Sequence, residues 1–190
     1  VNADRILEVR TSESGDMVRI HMAKIHLAES RLGEVRHTTN HAIAADLKAV
    51  FNDAWSDCSR YLAGLHSEEA KADRQLRLAK AEAILDKYPE FLKEWAKKNP
   101  DMKVKDNADI RDSFVYRDNE FQKWKMIKDH IASVIALLEA KSKTFERAYW
   151  DCKSNLEEQS RIQGTKHFNT GNIQDTQVYD PSLPIGVSKL

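Results

Sequence analysis

Proline and glycine are scarce, four and six in 190 residues. A sheet-rich domain with many tight turns needs more of both, so with 32% charged residues the composition points to long helices. Only two cysteines occur, Cys58 and Cys152, and no signal peptide precedes them, so both are expected as free thiols in a reducing compartment. Thirty basic residues balance thirty acidic ones. No bulk field therefore draws the chain to nucleic acid or an anionic membrane, and any basic surface has to be local. The longest apolar run, Ile131 to Leu138 with Ser133 inside it, falls far short of the ~20 residues a membrane span requires, so a soluble protein is expected.

Catalytic motifs are missing as well. There is no Gly-rich phosphate loop, nucleophile elbow or HExxH helix. His37 and His41 are four apart but straddle a turn without a fitting third ligand, so no metal is expected. Cys58 and Cys152 fall within apolar seams, where a thiol packs as a small apolar group. The expectation is a protein that is not an enzyme, with no cofactor and no small-molecule substrate.

What is present is apolar periodicity. Steps of three and four from Phe114 reach Phe121, Trp124, Ile131, Ile135, Leu138, Phe145, Tyr149, Cys152 and Leu156 without a Pro or Gly. This repeat predicts one continuous helix over 108–160, capped by Asn107. A second seam, Leu47, Phe51, Ala54, Cys58, Tyr61, Leu65, Ala72, Leu76, Ala79 and Ala83, predicts a helix over 41–88 after Thr38-Thr39-Asn40, with Gly64 to Ser67 the place for a break. Pro89 predicts a kink before it and a short apical helix over 90–98. Residues 1–15 read as a flexible lead-in, and Val18, Met22, Ile25, Leu32 and Val35 predict an amphipathic helix over 16–36. The polar, Gly- and Pro-containing stretch 163–190 reads as a disordered tail. Its final Ser188-Lys189-Leu190 matches a peroxisomal address and is read as a chance match. The expected fold class is all-α: a helical domain over 16–162 built on a long antiparallel, coiled-coil-like hairpin.

Facing residues in such a hairpin have position numbers with a constant sum. Cys58 with Cys152, Tyr61 with Tyr149 and Leu65 with Phe145 each sum to 210, which places the turn at residue 105. That register sets Glu68 against Ser142 and Glu82 against Lys128, with Glu69–Lys141 and Lys71–Glu139 on the flanks.

Basic residues supply the candidate nucleic-acid contacts. Lys125, Lys143 and Arg147 share a flank of the 108–160 helix, and Arg74 and Arg77 lie on the outer face of its partner. Lys93, Lys97, Lys98, Lys103 and Lys105 concentrate at the apex beside Trp95, where cations would track phosphates and the indole would stack on a base. Interleaved Asp73, Glu94 and Asp101 allow the blander reading of a solvated mixed face. Val50, Trp55, Leu62 and Trp150, apolar residues beside the seams, are the candidate oligomer interface.

Tyr61-Leu62 leads through Ser67-Glu68-Glu69 into a charged helix, a polar crossover follows, and the Asp109 to Leu156 helix carries Phe114-Val115, Phe121 and the Ile131–Leu138 core. Together these features resemble the phage recombination mediators of the UvsY type over about residues 45–160. The resemblance implies an elongated helical homo-oligomer, ring-like, that binds single-stranded DNA in the host cytoplasm. It would help a RecA-like recombinase displace single-strand-binding protein. The 16–36 helix and the tail have no counterpart in that pattern. The alternative is a coiled-coil virion component, scaffold or adaptor that binds no nucleic acid.

Overall fold

The computed structural model describes residues 6–37, 40–100 and 107–171, with 36–37 and 163–171 described by backbone alone. The chain is predominantly α-helical. Its elements are β1 (Ile6–Arg10), β2 (Met17–His21), α1 (Ala23–Arg31) with a following 3-10 segment (Leu32–His37), α2 (His41–Glu82), a π-helical turn (Ala83–Lys87), α3 (Tyr88–Lys98), α4 (Ala108–Val115) and α5 (Asn119–Gly171). Helices α2 and α5 pack along each other as the stem of the predicted hairpin.

The N-terminal expectation is corrected. Residues 6–10 and 17–21 form an antiparallel pair in which Leu7 faces Ile20 and Val9 faces Val18, so helix begins only at Ala23. Val18 and Ile20 alternate with Met17, Arg19 and His21 at a period of two, and β-branched residues favour that pleated, half-buried surface. The flexible lead-in over 1–15 is corrected too from residue 6 on; residues 1–5 lie outside the described residues. The turn is built by Asp16, whose carboxylate accepts from the hydroxyls of Ser12 and Ser14, and by Gly15, whose φ of 93° suits glycine. The Ser12 and Ser14 hydroxyls hold the Asp16 carboxyl below its usual range.

Asn40 caps α2, its side chain accepting from the Ala42 N–H at 2.9 Å. The helix passes Gly64 without a break: that position is exposed and tolerated, since an interior Gly costs only ~1 kcal/mol. The irregularity falls where Pro89 requires it. Pro89 has no N–H to donate to the preceding turn, and the chain answers with the π-helical turn at Ala83–Lys87 before α3.

The continuous 108–160 helix is also corrected. Asn107 caps α4 through the Ile110 N–H at 2.9 Å, but helix stops at Val115 and restarts at Asn119. Asp118 drives the restart, because its carboxylate accepts from the Phe121 N–H at 3.0 Å. The break lets Val115 and Phe121 both turn onto Ala79 and Ala83, forming a small second core. At the other end α5 runs to Gly171, past the expected start of the tail, because Gly164 weakens a helix without ending it. Residues 172–190 lie outside the described residues.

The register is shifted by about a heptad. Phe51 stacks on Phe145, Trp55 tilts on Tyr149, Asp73 accepts from Lys128 at 2.5 Å and His66 lies 3.9 Å from Glu139. These pairs sum to 196–205 rather than 210. Lys128, Lys141 and Lys71 accordingly pair with Asp73, Glu29 and Glu68 rather than with their expected partners. A slip of seven residues returns every a/d position to the seam, so the apolar repeat cannot discriminate between the two registers.

The main core joins the two stem helices to the N-terminal unit. Val9, Ile20, Ile25 and Ala28 are fully buried against a seam of Leu47, Phe51, Cys58, Leu65, Ile131, Leu138 and Phe145. Around that contact the Tyr61 hydroxyl accepts from the His21 N–H at 3.2 Å, and Lys24 pairs with Asp53 at 3.3 Å. Arg31 pairs with Asp46, and Lys141 with Glu29. One groove of the stem is thus filled by the chain itself. At 100° per residue, Trp55, Asp73, Lys128 and Glu139 fall on the other side of the seam, and Tyr149 reaches that side through its contacts with Trp55 and Lys48.

Candidate nucleic-acid and subunit surfaces

The apex is held by aromatic packing. Tyr88, buried at the start of α3, sits 5.4 Å from Phe114 edge to face, and Phe91 lies 5.2 Å from Phe114 between ring centroids. This fixes α3 against α4 and turns its polar side outward. Lys93, Lys97 and Lys98 are exposed there and have no ion-pair partner among the described residues. Trp95 is partly buried rather than fully presented; its carbonyl accepts from both the N–H and the side-chain amide of Asn99. Lys103 and Lys105 lie outside the described residues.

Two ion pairs join the apex to the stem. Lys87 donates to Asp118 at 2.8 Å, and Lys80 to Asp112 at 3.2 Å. Partial burial pushes the Asp118 carboxyl upward, but Lys87 and the N–H groups of Phe121 and Glu120 outweigh it and hold it below the usual range. Asp118 in turn raises Lys87.

The flank candidates are spread out. Lys125 lies over the Tyr116 ring at 5.2 Å, and Arg77 pairs with Asp73 at 2.7 Å. Arg74, Lys143 and Arg147 are exposed. Eighteen residues of α5 separate Lys125 from Lys143, roughly 27 Å at 1.5 Å per residue, so these cations line a ridge rather than close a pocket.

The oligomer candidates divide. Val50, Trp55 and Leu62 are partly buried against the chain's own core, whereas Trp150 is 48% exposed. Trp150 packs edge to face on Tyr149 at 5.3 Å, and Tyr149 lies 5.9 Å from Trp55. Two lysines that sequence reasoning passed over complete the group: Lys48 lies over Tyr149 at 5.6 Å and Lys153 over Trp150 at 4.6 Å. The run Tyr149-Trp150-Asp151-Cys152-Lys153 was the available signal, but Lys48 joins it only across the stem.

Both cysteines are buried, and burial pushes the Cys58 thiol up to about 11 and raises Cys152, which suits packing rather than reaction. Among the described residues no group of three or more His, Cys, Asp or Glu is placed to hold a metal, and no helix is long and apolar enough to cross a membrane. Compared with known proteins, the chain matches no family model, no curated protein and no solved structure.

Proposed function

We propose that this protein is a non-enzymatic, self-associating helical mediator that binds single-stranded DNA and assists loading of a RecA-like recombinase against single-strand-binding protein. The observation that supports this reading is a contrast among lysines. Lys80, Lys87, Lys123, Lys128 and Lys141 each have a carboxylate partner, while Lys93, Lys97 and Lys98, gathered on the short apical helix, have none among the described residues. Cations without internal partners are the ones that gain by meeting phosphates and releasing counterions. Fluorescence anisotropy with a labelled oligothymidylate tests it: binding is expected at low salt and weaker binding at moderate salt. Changing Lys97, Lys98, Lys103 and Lys105 together to Glu should strongly weaken the signal, and a wild-type chain that binds at neither salt sinks the proposal.

A second reading, a coiled-coil scaffold or virion component without nucleic-acid binding, is favoured by the internal engagement of Arg77 with Asp73. It predicts oligomers with no salt-sensitive affinity for DNA.

A further inference from the structure

The far end of the stem carries a second concentration of unpaired cations, and here they sit on aromatic rings. Lys48 from α2 and Lys153 from α5 line a common cleft of about 350 Å³, with Leu156 in its wall. Neither lysine has a carboxylate partner among the described residues; each lies instead over a ring, of Tyr149 and Trp150 respectively. Trp150 is half exposed, and Arg147, one turn earlier, is exposed beside it. Glu157 is the carboxylate on the cleft rim. By contrast, on the side covered by the N-terminal unit the charges answer one another: Lys24 with Asp53, Arg31 with Asp46, Lys141 with Glu29.

We infer that Lys48, Trp150 and Lys153 form a contact surface for single-stranded DNA at the end of the stem remote from the apex, each lysine taking a phosphate and the indole a base. The inference rests on the reading that the protein binds single-stranded DNA, and it places part of that binding where neither the apex nor the flank predicts it. The chemistry fits the strand. A lysine lying on a ring keeps its charge available and moves aside at little cost, and stacking on an indole tolerates any base. A duplex hides its bases and would use only the lysines. Lys48 and Lys93 are 45 residues apart, roughly 65 Å along the helices, so the two surfaces bind separate stretches of a strand.

The test measures anisotropy of a labelled oligothymidylate with the full chain, with Trp150→Ala, Trp150→Phe and the double variant Lys48→Ala, Lys153→Ala, each checked for helicity by circular dichroism and for mass by light scattering. Trp150→Ala should weaken binding by about 10- to 100-fold, and Trp150→Phe, which keeps a ring on Tyr149, should restore most of it. The lysine pair should lower the slope of log affinity against log salt by about 1.4. If the wild type binds and these variants bind equally well, the stem-end assignment falls while the DNA reading stands; if the wild type does not bind, both fall. A drop in mass accompanying the Trp150→Ala loss would make Trp150 a subunit contact and overturn the assignment. Displacement of the strand by equimolar thymidine monophosphate would also overturn it, since the cleft would then be a nucleotide pocket.

Discussion

Asp118 does two jobs at once: its carboxylate caps α5 through the Phe121 N–H and pairs with Lys87 across the hairpin. Asp118→Ala should cost ~1–2 kcal/mol in urea unfolding, while Asp118→Asn, which still accepts from the N–H, should cost less. The sign of its pH dependence follows from the lowered folded pKa. The stabilisation is complete above the unfolded value near ~4 and is lost as pH falls through the folded one. Thermal melts from pH 5 to pH 2 should therefore show a shallower decline in Asp118→Asn than in wild type. The shifted register makes its own residue-level prediction. Phe145 is fully buried and stacked on Phe51, so Phe145→Ala should cost ~3–5 kcal/mol. Leu85, in the π-helical turn, is 72% exposed, and Leu85→Ala should stay within ~0.5 kcal/mol by the same measurement.

At the scale of elements, both stem helices are interrupted at one level. The π-helical turn at Ala83–Lys87 and the break between α4 and α5 lie against each other, joined by Lys87 and Asp118 above the small core of Ala79, Ala83, Val115 and Phe121. This makes a joint between the stem and the apex that carries Lys93, Lys97 and Lys98. Lys87→Ala should speed amide hydrogen exchange in 83–89 and 115–121 and leave the central amides of α2 unchanged. Pro89 made one half of the joint legible in the sequence. The other half was written in Asp118 and Asn119, both good capping residues, but an apolar repeat that ran on through Phe121 and Trp124 masked them.

At the scale of the whole molecule, the N-terminal unit closes one groove of the stem and leaves the other uncovered by described residues. Removing residues 1–37 would expose the surfaces that Val9, Ile20, Ile25 and Ala28 cover, and would leave Asp46 and Asp53 without Arg31 and Lys24. The shortened chain should melt at lower temperature with less cooperativity and associate in light scattering, because the bared apolar groove has to find another cover. In the full chain the uncovered side holds Trp55, Tyr149 and Trp150, and the structure presents chiefly Trp150 of the subunit candidates.

The sequence by itself determined the class, the two stem helices, their buried seams, the irregularity before Pro89 and the cap at Asn107, because each is written in local spacing that one segment carries alone. The seam residues Leu47, Phe51, Cys58, Leu65, Ile131, Leu138 and Phe145 are all buried as that spacing requires. Only the tertiary structure decided what depends on partners far apart in the chain. Strand pairing of 6–10 with 17–21 turned an expected helix into a hairpin. The heptad register was settled by contacts such as Asp73 with Lys128, among slips that the apolar repeat leaves equivalent. The meeting of Lys48 with Tyr149 depends on that register, so the stem-end cluster could become visible only once the two helices were placed side by side.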